Sequence, residues 1–167
     1  MAALASLPDG ASARVITVSD RSAAGLRPDT SGPLLASLLA ELGFEVAEVV
    51  VVPDDLDAVQ QAVLLAAGAA DLVVTTGGTG LAPRDVTPEA VTPLLDRLVP
   101  GLAEALRQHR REELPTTLLS RAVAGTIGRT LVVTLPGSAG AVRDGVTVLA
   151  PVVGHAIAQL RGGGDHG

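Results

Sequence analysis

The sequence predicts an α/β fold, a three-layer α/β/α sandwich on a mostly parallel β-sheet, and two observations carry that expectation. Short apolar runs rich in β-branched residues alternate with segments of helical periodicity from Arg14 to about Arg161, and no internal repeat or linker interrupts them. The apolar runs end in turns of Gly, Pro and Asp, the place where open α/β sheets gather their ligand-binding loops.

Arg14-Val15-Ile16-Thr17-Val18 reads as the first strand, after a leader over residues 1–13 that is expected to be disordered. Ser19-Asp20 opens a long loop carrying Gly25, Pro28, Asp29, Ser31 and Gly32, and long loops in compact domains are usually functional. Leu34, Leu35, Leu38, Leu39 and Leu42 fall on one helical stripe, with Thr30 or Ser31 as N-cap and Gly43 as terminator. Val46 to Val52 reads as a second strand that stops at Pro53-Asp54-Asp55, and Leu56, Val59 and Val63 keep helical spacing through to Gly68. An Asp after proline and before such a run favours Asp54 as the N-cap of that helix.

Leu72 to Thr76 has the length and branching of a buried central strand, and it runs straight into Gly77-Gly78-Thr79-Gly80. Thr87-Pro88-Glu89 reads as the cap and first turn of a third helix, and Pro100 to Glu113 as a fourth. A β-like stretch from Ala122 to Leu135 is interrupted at Gly125 and at Gly128-Arg129, which leaves a short strand, a turn and a strand from Thr130 to Leu135. Ala139 to Leu160 is helical in two pieces broken near Pro151, and residues 162–167 form a tail expected to be disordered. If the strands are parallel, the turns at Ser19-Asp20, Pro53-Asp54, Thr76 to Gly80 and Pro136-Gly137-Ser138 converge on one edge.

Composition removes several functions. The 167 residues are one domain's worth, 47% hydrophobic but with one Phe, no Tyr and no Trp, so the core is built of Ala, Val and Leu. Without aromatics for base stacking, and with a net charge of −6, nucleic acid is not the expected partner. All twelve basic residues are Arg, which excludes a P-loop lysine, a Schiff base and a lysyl-nucleotide intermediate. The absence of Cys excludes thiolate chemistry and Cys-type metal sites. The most apolar stretches are broken by Asp71, Pro151 and His155, so no membrane span is expected and the default location is cytoplasmic.

The glycine turn matches neither the dinucleotide nor the P-loop pattern, and alone it is only a tight turn. Its company changes that reading: Thr75, Thr76 and Thr79 supply hydroxyls, and Arg84-Asp85 follows directly. Asp85 lies outside the helix that Thr87 would cap and has no evident structural duty. Two loop carboxylates, Asp54 and Asp85, beside a cradle of backbone N–H groups suit Mg²⁺, which takes one or two carboxylates with phosphate oxygens and water. Asp20 and Asp29 either line the same site or are ordinary loop aspartates. His109, His155 and His166 read as solvated, helix-surface and tail residues.

Ser19-Asp20, Gly25, Asp29, Ser31-Gly32-Pro33, Pro53-Asp54, Thr76 to Gly80, Pro83-Arg84-Asp85-Val86-Thr87-Pro88-Glu89 and Leu135-Pro136-Gly137-Ser138, in this order and spacing, resemble the MogA/MoaB family of molybdenum cofactor biosynthesis. The resemblance spans Arg14 to about Arg161. It implies a molybdopterin adenylyltransferase, a homotrimer that uses Mg²⁺ and ATP to adenylate the molybdopterin phosphate and release pyrophosphate before a molybdate-inserting protein takes over. In such proteins the residues matching Asp54 and Asp85 are tied to catalysis and metal binding, which sets aside the cap as the sole role of Asp54. Ser19, Asp20, Asp29, Ser31, Gly32, Thr76, Gly77, Gly78, Thr79, Gly80, Arg84, Pro136, Gly137 and Ser138 match the nucleotide- and pterin-contacting segments. The chain departs from many relatives at Ala139, where they carry a second proline. The alternative reading is a non-catalytic molybdopterin-binding or scaffolding trimer of the MoaB type.

Overall fold

The structure, a computed structural model, describes residues 6–163. Its central strand is β4 (Leu72–Thr76), every residue of which is buried. Parallel neighbours flank it in register, β1 (Ser12–Val18) with Val15 opposite Val74 and β7 (Thr130–Leu135) with Val133 opposite Val74. Outside β1 lie two short parallel pieces, β2 (Glu45–Val46) and β3 (Val50–Val52). Outside β7 the sheet turns antiparallel through β6 (Ala124–Ile127) to β5 (Arg97–Leu98).

The helices in chain order are α1 (Asp20–Ala23), α2 (Ser31–Glu41), α3 (Leu56–Ala67), α4 (Thr87–Val91), α5 (Pro100–Gln108), α6 (Ala139–Leu149) and α7 (Val153–Leu160). Because side chains alternate across a strand, β4 feeds two cores. Leu72 and Val74 pack with Leu35 and Leu39 of α2, Val142 and Leu149 of α6 and Ile157 of α7. Val73 points the other way, to Val59 and Val63 of α3 and Ala90 and Val91 of α4. The predicted sandwich, α/β with a mixed and mostly parallel sheet, is the observed architecture.

Several expectations change in detail. The strand expected over Val46 to Val52 is broken into β2 and β3, which pair with opposite ends of β1. It lies outside β1, and Val50 and Val51 are exposed, so no second neighbour holds the middle of the run in the ladder. β1 starts at Ser12 rather than Arg14, Ala11 is buried, and Leu7 packs on the core, so residues 7–13 belong to the fold rather than to a disordered leader. Gly162 and Gly163 donate to carbonyls at the end of α7 instead of starting a disordered tail, while residues 164–167, His166 among them, lie outside the described residues. The terminal helices are bent by 62° around Pro151, and among the described residues no single helix is long and apolar enough to cross a membrane.

Both ends of the described chain are tied to one point. Arg161 donates to both carboxylate oxygens of Asp71, each at 2.8 Å, and also to the carbonyls of Asp9 and Gly10. Ser12 N–H donates to the same carboxylate at 2.9 Å. The neighbouring guanidinium holds the Asp71 carboxyl down at about 2.

Candidate functional site

Parallel pairing of β1, β3, β4 and β7 delivers the four strand-ending turns to one edge, as the sequence leads one to expect. Backbone bonds fasten them in pairs: Ser19 N–H donates to Val52 O at 2.9 Å, and Gly77 N–H to Leu135 O at 2.9 Å. Thr76 adds a hydroxyl bond to Pro136 O at 3.1 Å.

The glycine turn has room for nothing larger. Gly77 and Gly78 adopt φ of 106° and 71°, where an L side chain is strained, and a Cβ on Gly77 would strike the carbonyl of Val18. On Gly78 it would strike the Thr87 hydroxyl and lie 3.3 Å from Asp54 Oδ1. Thr87 is therefore not the helix cap expected of it. The cap position belongs to Val86, and the fully buried Thr87 hydroxyl donates to Gly77 O at 2.9 Å, tying the turn to the first residue of α4.

Asp54 does not cap α3 either. The adjacent Asp55 does, accepting from Ala58 N–H at 2.9 Å, which leaves Asp54 for a different partnership. Asp20 N–H donates to Asp54 Oδ2 at 2.8 Å, and Asp54 N–H donates to Asp20 Oδ1 at 2.9 Å. Arg84 then grips both oxygens of Asp20, at 2.9 and 2.8 Å, and lowers its pKa. Asp54 moves the opposite way: burial pushes its carboxyl up, and the charges of Asp20 and Asp85 add to the effect.

Asp85 closes a small turn, its backbone N–H donating to Ala82 O at 2.9 Å and its Oδ2 accepting from Ala82 N–H at 3.1 Å. A Cβ on Gly80 would lie 2.7 Å from that Oδ2, so the glycine admits the carboxylate. Asp54 Oδ1 accepts no hydrogen bond among the described residues. A crowded carboxylate with a free oxygen and a second carboxylate nearby is a donor set that fits one hard divalent cation bound mainly by phosphate and water. No cluster of three acidic or His ligands exists among the described residues, so a cage made wholly of protein does not.

Two cavities meet at the turn. One, of 180 Å³, is lined by Thr17, Ser19, Ser22, Arg27, Asp29, Ser31, Thr76, Gly77 and Gly137. The other, of 380 Å³, is lined by Gly77 to Gly80, Asp85, Pro136 to Ser138 and the segment from Leu114 to Ser120. Gly77 and Gly137 belong to both, and a Cβ on Gly137 would be 3.3 Å from the Gly77 Cα. Asp20, Asp54 and Arg84 line neither cavity and stand beside the turn.

Some candidates prove to have structural duties. Thr30 holds the cap position of α2 as expected but makes no side-chain bond there; Asp29, one residue earlier, supplies it by accepting from Gly32 N–H at 3.1 Å, and it also accepts from the Thr17 hydroxyl at 2.7 Å. Gly32 is the residue that lets that carboxylate approach. Ser19 caps α1 and Ser138 caps α6, accepting from Ala141 N–H at 3.1 Å. Ala139, the first residue of α6, has a backbone N–H that finds no acceptor among the described residues. Arg27 and the Leu114 to Ser120 wall were not foreseen, since neither carries a motif. Nor was Arg121, which binds the glycine loop from 41 positions away.

The family described as a probable molybdopterin binding domain matches residues 14–155. The chain belongs to that family. It is 44% identical over 160 residues to a molybdenum cofactor biosynthesis bifunctional protein of Synechococcus elongatus, covering 95% of this chain but 50% of that one, so the chain spans about half the length of this relative. A molybdopterin adenylyltransferase of Pyrococcus furiosus is 43% identical over 152 residues, covering 88% of this chain and 89% of that one. Among solved structures, a molybdopterin biosynthesis protein from Mycobacterium abscessus superposes with a TM-score of 0.86 at 52% identity, covering 93% of this chain and 98% of the other. Membership makes residues 14–155 a probable molybdopterin binding domain, similar to proteins named for molybdenum cofactor biosynthesis.

Proposed function

We propose that this protein adenylates molybdopterin, using ATP with Mg²⁺ and releasing pyrophosphate. The observation that carries the reading is the meeting of two cavities across Gly77 and Gly137, with Asp85 lining one of them and Asp54 against the same turn. A transfer between two bound substrates needs two adjoining sites whose reactive ends share one boundary. The similarity to the Pyrococcus adenylyltransferase supports the same chemistry.

In this reading an oxygen of the molybdopterin phosphate attacks the α-phosphorus of ATP. A new P–O bond forms, the bond from the α-phosphorus to the bridging oxygen breaks, and pyrophosphate leaves with that electron pair. The chain's contribution is alignment and field. The N–H groups of Gly78, Thr79 and Gly80, which have no acceptor among the described residues, would bind the phosphates, and the Gly77 to Leu135 bond joins the two turns that both cavities share. Asp54 and Asp85 would hold Mg²⁺, whose charge offsets that of the triphosphate. Burial disfavours the charge on the Asp54 carboxylate, and a cation held there would offset that cost. No covalent intermediate is required, which suits a chain without Lys or Cys. The roles of Ser19, Asp20, Ser31, Thr76, Thr79, Arg84 and Ser138 as substrate contacts, a homotrimeric assembly, a cytoplasmic location and hand-over to a molybdate-inserting protein belong to the same proposal and rest on the family resemblance.

The test is molybdopterin-dependent release of pyrophosphate from ATP. In Asp85→Asn the turn is kept, because an amide oxygen accepts from Ala82 N–H as the carboxylate does, yet the charge is gone. Turnover should fall about a hundredfold or more with the fold intact by circular dichroism. Near-normal turnover by this variant would remove Asp85 from the catalytic machinery, and tight molybdopterin binding by wild type with no pyrophosphate would move the protein to the non-catalytic binding class.

A further inference from the structure

The segment that carries Asp85 has little packing of its own. Leu81 is 66% exposed, and Ala82, Pro83 and Arg84 are exposed beside it. The backbone bond of the Ala82 to Asp85 turn and the Asp85 carboxylate bond both stay within the turn, and Arg84 leans outward on Asp20. A carboxylate asked to act at a fixed point needs a firmer mount than this.

One residue from a distant part of the chain supplies it. Arg121 Nε donates to Gly80 O at 2.8 Å and Nη2 to Asp85 O at 2.8 Å, while Nη1 pairs with the Glu89 carboxylate on α4. Its backbone N–H adds a bond to Thr79 O at 2.9 Å. Neither the Gly80 nor the Asp85 carbonyl has another donor among the described residues. A planar guanidinium with its donors in a rigid fork is suited to two carbonyls and a carboxylate at once, and a lysine ammonium is not. Arg121 also ends the segment from Leu114 to Ser120 that forms the opposite wall of the larger cavity.

We infer that Arg121, oriented by Glu89, is a positioning residue for the transfer: it fixes the Gly80 and Asp85 backbone and so aims the Asp85 carboxylate into the cavity. The inference rests on the adenylation reading for its kinetic consequence and on the hydrogen bonds alone for its structural one. Substrate binding draws mainly on the glycine turn, which stays fastened through Thr87 and Leu135, so the loss appears in kcat and not in KM.

The experiment uses the full chain with Arg121→Lys and Glu89→Gln, reading pyrophosphate release together with hydrogen exchange of the amides from Thr79 to Thr87. Glu89 is about half exposed, so its variant isolates guanidinium orientation without threatening the fold. Arg121→Lys should lose about a hundredfold in kcat with KM for ATP within about threefold, the cost expected of a displaced catalytic group. Glu89→Gln should lose less, in the same direction. The Asp85 amide should exchange about tenfold faster or more in Arg121→Lys while those of Thr87 and of β4 do not change. A lower melting temperature with normal kcat, or a higher KM at constant kcat, overturns the proposal. If wild type itself releases no pyrophosphate, the adenylation reading fails, and exchange decides the matter for Arg121: acceleration confined to this loop upholds the mount, and unchanged exchange overturns it.

Discussion

Gly78→Ala tests whether the glycine turn is a rigid cradle. Gly78 sits at φ 71°, where an L-alanine costs about 1–2 kcal/mol. The new methyl would also meet the Thr87 hydroxyl, which must move and give up its bond to Gly77 O, and a buried carbonyl left without a donor costs about 1–3 kcal/mol. The two together give about 2–5 kcal/mol, a large share of the roughly 5–15 kcal/mol that a domain has in total. With no Trp and no Tyr in the chain, unfolding in urea is followed by far-ultraviolet circular dichroism. Gly140→Ala is the control, since a Cβ there meets nothing within 4 Å and lies in α6, where alanine is worth about 0.5–1 kcal/mol over glycine. Combining Gly78→Ala with Thr87→Ala should cost less than the two separately, because each removes the same hydroxyl bond. A Gly78→Ala protein as stable as wild type, or strict additivity with Thr87→Ala, would show that the turn is not a rigid cradle closed by the Thr87 hydroxyl.

Two carboxylates should respond to pH in opposite senses. Asp54 has its pKa raised by burial, so its ionised form destabilises the fold at neutral pH; Asp54→Asn should raise the melting temperature at pH 7.5 while abolishing turnover, and the gain should vanish below the ordinary carboxyl value of 3.8. Asp71 has its pKa lowered from 3.8 to about 2 by Arg161, so its contribution is present in full above 3.8 and is lost as pH falls toward 2. The shift corresponds to about 2.4 kcal/mol at most, and partial exposure of Arg161 reduces it to about 1–2 kcal/mol. Asp71→Asn should therefore destabilise at pH 7 and hardly at all near pH 2, measured by denaturant unfolding at both.

Periodicity made the layers legible because burial follows it directly. Leu35 and Leu39, and Val59 and Val63, are the residues of their stripes that reach zero exposure, and β4 is buried along its whole length. Turn chemistry was harder to read. Asp54 and Asp55 are chemically identical candidates for one cap, and which of them takes it depends on the backbone direction at the end of β3. Thr87 looked like a cap because its partner, Gly77 O, lies ten positions back across a loop. Asp29, weighed as a ligand, lines the smaller cavity and also accepts from Thr17 and Gly32, partners that a loop aspartate does not announce in sequence. Arg121 left no local trace, since the carbonyls it serves become its neighbours only when β4 and β6 are in one sheet.

The knot of Arg161, Asp71, Asp9 and Gly10 sits where β4 begins, and the glycine turn where it ends. Five residues of extended chain separate the two by about 16 Å. The two ends of the described chain are thus fastened at the rim opposite the cavities, and a perturbation of this knot reaches the site only along the length of β4.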